Sequence, residues 1–205
     1  MNEPEATYYK LLLASGNPGK LREYQVLAAG HAVRLELLQG FSSLPEFLED
    51  APTFAENAAG KALYYSKYSE ALIFGDDSGL VVPALDGSPG VLSARYAGPG
   101  ASSEQRNAKL LAELGRKDGA GREAYFVCVI ALALRGRCLA VVSGKVEGEI
   151  LEHPRGSGGF GYDPVFYLPE LGKSFAELDP EEKNSLSHRG KAFRRLVEVL
   201  KGQLA

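Results

Sequence analysis

The chain is poor in the features that announce the commoner kinds of site. Two cysteines, Cys128 and Cys138, are all that 205 residues contain, and no third or fourth ligand stands at zinc-finger spacing beside them. That excludes a disulfide scaffold and a Cys-based zinc site, and leaves two reduced thiols expected to be buried as small hydrophobes. No apolar run is long enough to cross a bilayer, and Met1 to Tyr9 carries Glu3, Pro4 and Glu5 where a signal peptide would be apolar. A soluble, cytoplasmic protein with no membrane partner is therefore expected. Positive charge is also scarce: 23 Lys and Arg against 26 Asp and Glu give a net charge of −3. Nucleic-acid backbones bind through a surplus of Lys and Arg, so a nucleic-acid partner is not expected, whereas a small anionic ligand remains open. Repeats and low-complexity segments are absent. A 45% hydrophobic chain of this length is sufficient for one substantial core. The expectation is a single domain over residues 1–205, with residues 1–9 as a flexible extension.

The first half alternates strands and helices. Leu11 to Ala14 is a short apolar run that ends at a Gly/Asn/Pro cluster, as a buried strand feeding a loop would. Asn17 suits a helix N-cap and Pro18 the first helical turn. Val33 to Leu38 reads as a strand leading to the acidic loop Glu46 to Asp50, and Thr53 with Glu56 has capping-box spacing for the next helix. Ala71 to Gly75 and Leu80 to Leu85 read as two strands, with Asp76 and Asp77 delivered into a turn between them. Ser102 and Gln105 open a helix through Leu114. Tyr125 to Leu134 and Leu139 to Val146 form an antiparallel hairpin across Arg135, Gly136 and Arg137. Asp179 to Glu182 starts the last helical region, and Ala192, Phe193, Leu196, Val197 and Leu200 make its buried stripe. The class is α/β.

Adjacent carboxylates at Asp76 and Asp77 read as a solvated turn when taken alone, while such a pair can also hold a divalent cation. Mg²⁺ keeps several waters and takes one or two carboxylates plus substrate phosphates. Asp77 with Glu46, Glu49, Asp50 or Glu56 would serve, and Lys61 is a further cation. The loop Ser15-Gly16-Asn17-Pro18-Gly19-Lys20 opens a helix whose dipole, with Lys20, favours an anion. It is not a P-loop, since Ala14 stands where the first glycine is required and Leu21 follows Lys20. Residues Gly156 to Gly161 fit the dinucleotide pattern, yet Tyr162-Asp163-Pro164 forbids the helix that pattern needs, so a Rossmann site is rejected. Glycines beside Phe160 suit a backbone lying close to a flat ligand, with the ring free to stack. Between Lys183 and Lys201 six basic residues face one acid, Glu198. Most of these are solvated, while Lys183, His188 and Arg189 sit at a helix junction where donors converge. His31 and His153 read as surface residues.

In order along the chain, Ser15 to Lys20, Thr53 to Ala58, Asp76 to Leu80, Pro89 to Tyr96, Gly158 to Pro164 and Glu181 to Gly190 closely resemble the inosine triphosphate pyrophosphatase family. That family hydrolyses ITP, dITP and XTP to the monophosphate and pyrophosphate. The resemblance implies an elongated mixed sheet flanked by helices, two lobes around a central cleft, a homodimer and an Mg²⁺ cofactor. By motif, Asp77 is implied as catalytic residue and metal ligand, and Glu49 as second metal ligand. Ser15, Gly16, Asn17, Pro18, Gly19, Lys20, Ser78, Phe160, Gly161, Tyr162, Asp163, Lys183, His188 and Arg189 are implied as substrate-binding. The rival readings are a related pyrophosphatase for modified pyrimidine or methylated nucleotides, and a non-catalytic nucleotide sensor.

Overall fold

The computed structural model describes residues 9–117, 119 and 121–203, the side chain of Gln203 excepted. All but Tyr9 of the expected N-terminal extension lies outside the described residues. In chain order the elements are β1 (Tyr9–Leu13), α1 (Pro18–Ala28), β2 (Val33–Leu37), α2 (Phe54–Tyr65), β3 (Leu72–Val81) and α3 (Ser103–Leu114). There follow β4 (Glu123–Leu134), β5 (Arg137–Ile150), β6 (Phe166–Leu168), β7 (Lys173–Ser174), α4 (Pro180–Leu186) and α5 (His188–Gln203). The seven strands hydrogen-bond in the order β2-β1-β3-β4-β5-β6-β7. β1 pairs in parallel with both β2 and β3, whereas β6 is antiparallel to β5 and to β7, so the sheet is mixed as expected. Among the described residues no helix is long and apolar enough to cross a membrane.

The helix starts follow their local chemistry. Asn17 caps α1, its Oδ1 accepting from the N–H groups of Gly19 at 2.8 Å and Lys20 at 3.2 Å. Thr53 caps α2, Ser102 closes a full capping box on α3, and Asp179 caps α4 by accepting from Glu182 N–H at 2.8 Å. The β4–β5 hairpin turns through Arg135 and Gly136, both at positive φ, as a two-residue primed turn requires. β4 is buried continuously from Cys128 to Ala133, the pattern of a strand covered on both faces.

Three expectations are corrected. β3 is one continuous strand, so Asp76 and Asp77 lie inside it rather than in a turn; hydrogen bonding to neighbouring strands overrides the weak strand propensity of Asp-Asp-Ser-Gly. Cys138 is exposed, because it sits near the open start of β5, while Cys128 is buried as expected. His31 is half-buried, its ring 6.2 Å from that of Phe193.

The chain divides into two compact units. Of the described residues, the first comprises 9–77, 129–143 and 192–203, and the second those between 78 and 128 and between 144 and 191. In the first, Tyr24 packs edge-on to Phe74 at 5.0 Å and tilts against Phe193 of α5 at 5.6 Å, and Leu11 and Ile73 of the same unit are fully buried. In the second, Leu80, Leu110, Phe126, Phe166 and Phe175 form one cluster with Tyr162 and Val165. Burial of this size, at about 25 cal/mol per Å² of apolar surface, gives each unit a core of its own.

Candidate active site

The first unit gathers a charged cluster at the middle of β3. Asp76 is fully buried, and its Oδ2 accepts from Lys20 Nζ at 3.1 Å. Lys61, projecting from α2, donates to the Asp76 carbonyl and to Glu49 Oε1, the latter at 2.6 Å. Asp77 Oδ2 accepts from Asn57 Nδ2 at 3.0 Å. The approach of α2 to β3 depends on Gly75: a Cβ there would lie 3.0 Å from Ala62 N and 3.1 Å from Ala58 O.

Burial pushes the Asp77 carboxyl up to about 6, with the charge of Glu49 adding to the rise and Lys20, the Asn57 bond and Lys61 opposing it. Lys61 is pulled down by burial, but Asp76, Glu49 and Asp77 outweigh that and hold it above the ordinary lysine value. Among the four acids named for the second ligand, Glu49 is the one whose charge acts on Asp77. Glu46 and Asp50 are exposed, and Glu56 is engaged by the Thr53 hydroxyl at 2.7 Å in the helix cap.

Three carboxylates, Asp76, Asp77 and Glu49, here face two lysines, Lys20 and Lys61. The excess is negative once Asp77 ionises, and an added cation would lower the repulsion met by an incoming polyphosphate. The donors are hard carboxylate oxygens, and Mg²⁺ needs only one or two of them when phosphate and water complete its shell. No group of three or more His, Cys, Asp and Glu among the described residues forms an all-protein cage. The set fits an ion shared with substrate.

The loop Ser15 to Lys20 is placed partly as read. Gly16, Asn17 and Pro18 are exposed, and Ser15 Oγ accepts from Asn17 N–H at 3.2 Å. The N–H groups of Gly19 and Lys20 are already occupied by the cap, so the loop offers an anion its helix dipole and the Lys20 charge more than a backbone cradle.

The second unit brings the remaining residues together. Arg189 donates to Ser78 Oγ at 2.9 Å, and Lys183 pairs with Asp163 Oδ2 at 2.6 Å with both side chains buried. Asp163 also accepts from Phe160 N–H at 2.7 Å, which folds the glycine loop back on itself. The half-buried Phe160 ring lies 5.0 Å from Lys183 Nζ and 5.6 Å from the Arg189 guanidinium. Gly159 and Gly161 both take positive φ, and a Cβ on Gly159 would strike the Asp163 carboxylate, so glycine is required there. His188 stacks on Phe126 at 4.7 Å with an interplanar angle of 12°, and Tyr162 is buried with its hydroxyl on Ser93 O at 2.9 Å.

The Ham1 family model matches residues 11–199, nearly the whole chain and both of these clusters. This chain belongs to the Ham1 family. Among its relatives, a protein of Geobacillus kaustophilus named dITP/XTP pyrophosphatase is 50% identical over 189 residues, covering 92% of this chain and 93% of the relative. A protein of Thermus thermophilus with the same name is 49% identical over 193 residues, covering 94% and 92%. The solved HAM1 protein from Coxiella burnetii superposes with a TM-score of 0.85 at 43% identity, covering 95% of this chain and 99% of that one. The Staphylococcus aureus Ham1 protein gives 0.82 at 38% identity with the same coverage.

Sequence reasoning missed three polar residues of this Ham1-family chain. Asn57 and Asn107 are buried on the core-facing sides of α2 and α3, where Asn107 Nδ2 holds the Gly161 carbonyl at 3.2 Å. Ser93 accepts from Leu80 N–H at 3.0 Å. The available signal was an asparagine standing on an otherwise apolar helical face, as Asn57 does beside Ala58, Ala62 and Tyr65.

Proposed function

We propose that this chain is a nucleoside triphosphate pyrophosphatase, hydrolysing dITP, ITP and XTP to the monophosphate and pyrophosphate and so clearing them from the nucleotide pool. The observation that carries the reading is the Asp77 carboxylate, kept poorly solvated beside Glu49 and within the field of Lys20 and Lys61. A carboxylate pushed up toward neutrality is a better proton acceptor than one in water, and here it sits where charge can be neutralised.

In this reading Lys20 and Lys61 balance the charge of the triphosphate, and Asp77 orients the attacking water and accepts its proton. Asp77 and Glu49 would hold the divalent cation, Mg²⁺, which supplies Lewis-acid neutralisation of the phosphate oxygens and the departing pyrophosphate. Phe160 offers its ring to the purine, backed by the cationic side chains of Lys183 and Arg189. Ser78, His188 and Arg189 contact the nucleotide, with Gly161, Tyr162 and Asp163 shaping the loop that presents Phe160. Donors placed against the 6-oxo group accept inosine and xanthosine but meet the donor face of adenine's amino group, and an unpaired buried donor is costly. The net charge of −3 favours such a small ligand over nucleic acid. On the family resemblance we also assign a homodimer working in the cytoplasm.

The test is an assay with Mg²⁺ across dITP, ITP, XTP, ATP, GTP, dUTP and dTTP with products identified. Monophosphate and pyrophosphate from dITP, ITP and XTP, with ATP a poor substrate, is the expected result. Preference for dUTP or dTTP would move the chain to the pyrimidine reading, and binding without turnover would make it a sensor.

A further inference from the structure

Asn57 is fully buried, and its carboxamide has three partners. Nδ2 donates to Asp77 Oδ2 at 3.0 Å and to Ala51 O at 3.3 Å, while Oδ1 accepts from Ala51 N–H at 3.0 Å. Ala51 stands two residues after Glu49, at the end of the acidic loop. One side chain therefore ties the strand that carries Asp77 to the loop that carries Glu49. Other contacts hold its earlier part: Tyr65 Oη donates to Pro45 O at 3.4 Å, and the Phe47 ring lies 5.7 Å from that of Tyr64. Phe47 N–H donates to Tyr65 Oη at 3.1 Å, and Glu49 itself reaches Lys61. Its residues from Pro45 to Asp50 belong to no helix or strand.

We propose that Asn57 is a positioning residue: it fixes the Glu49 loop against Asp77, so that the two carboxylates are presented to the reacting phosphate in one arrangement. This deepens the hydrolase reading above and rests on it. The chemistry calls for a carboxamide, since only a group with a donor and an acceptor at its tip matches the backbone N–H and C=O of Ala51 while donating to a carboxylate. Asparagine meets the need from the first turn of α2, where Thr53 sets the helix start. Misplacement of a catalytic group by a fraction of an ångström costs rate far more than it costs ground-state binding. Asn57 touches neither the base nor the sugar in this assignment, so its loss falls on kcat.

Asn57→Asp is the sharpest variant, because it keeps the shape and the acceptor for Ala51 N–H but sets a carboxylate oxygen against Asp77 Oδ2. Asn57→Ser, smaller and uncharged, serves if the first does not fold. Ser102→Ala, which removes the cap of α3 in the other unit, is the control for a merely structural loss. The expected result is a fall in kcat of at least about tenfold with KM for dITP within about threefold, while Ser102→Ala keeps wild-type kcat. Hydrogen exchange of the metal-free protein gives an independent readout: residues 46–52 should exchange faster in the Asn57 variant, with no change in β1. A folded Asn57 variant that keeps kcat within a few-fold, or whose loss is carried by KM, or whose loop exchange is unchanged, overturns the role. Wild-type protein that releases no pyrophosphate from dITP would instead overturn the hydrolase reading itself.

Discussion

Replacing Asp77 by Asn should inactivate the protein and stabilise it. The carboxyl is almost wholly buried, and its pKa rises from 3.8 to about 6 in the folded chain. A group held above its unfolded value lends stability only while protonated. The contribution is fully present below pH 3.8 and is lost as pH rises through about 6. At about 1.4 kcal/mol per pH unit, the ionised side chain costs the metal-free fold about 3 kcal/mol at pH 8. Asparagine carries no charge at any pH, and its Oδ1 can still accept from Asn57 Nδ2. For a chain of this size about 2–4 °C of Tm accompanies each kcal/mol, so the variant should melt about 6–12 °C higher than wild type at pH 8. Near pH 4 the two should converge. The assay is calorimetry on chelator-treated protein at pH 4, 6 and 8, beside turnover with Mg²⁺, where a loss of orders of magnitude is expected. A variant no more stable than wild type at pH 8, or a gap that does not shrink on acidification, would refute the reasoning. So would near-normal turnover.

Other perturbations act on neighbouring parts of the two clusters. Gly75→Ala should lower stability by about 1–3 kcal/mol and reduce kcat, because the added Cβ meets the backbone of α2 at 3.0 Å and lifts β3 two residues before Asp77; unchanged unfolding in urea would contradict the close approach. Lys183→Met removes the counter-charge of the buried Asp163, a change that costs about 3–5 kcal/mol, and loosens the turn that presents Phe160. The KM for dITP should rise more than kcat falls, and steady-state kinetics with the opposite split would exclude that role. His188→Ala should narrow the preference for ITP over ATP, measured as the ratio of kcat/KM values; an unaltered ratio would remove the main support for donor-based selection of the 6-oxo group.

The parts of the fold readable in the sequence were those fixed by local chemistry. Asn17, Thr53, Ser102 and Asp179 each cap the helix their spacing announced, and Arg135-Gly136 makes the hairpin turn. The run from Ala71 to Leu85 misled because Asp, Ser and Gly are turn formers in isolation. Only pairing with neighbouring strands, which a local pattern cannot reveal, keeps β3 extended through Asp76 and Asp77. At the candidate site, residues with an obvious charge were visible, including Lys20, Asp77 and Lys183. Their supports were not: Asn57 and Asn107 are recognisable only once the opposing backbone at Ala51 and Gly161 is known. Glu49 was implied as a metal ligand by the motif resemblance, whereas its contact with Lys61 and its charge acting on Asp77 follow from the path of an irregular loop.

In the proposed reaction water, oriented by Asp77, attacks the α-phosphorus. Hydrolysis of dITP in ¹⁸O-labelled water, with both products examined by mass spectrometry, tests it directly. Label is expected in the deoxyinosine monophosphate and none in the pyrophosphate. Label in pyrophosphate, or release of single phosphates, would contradict it.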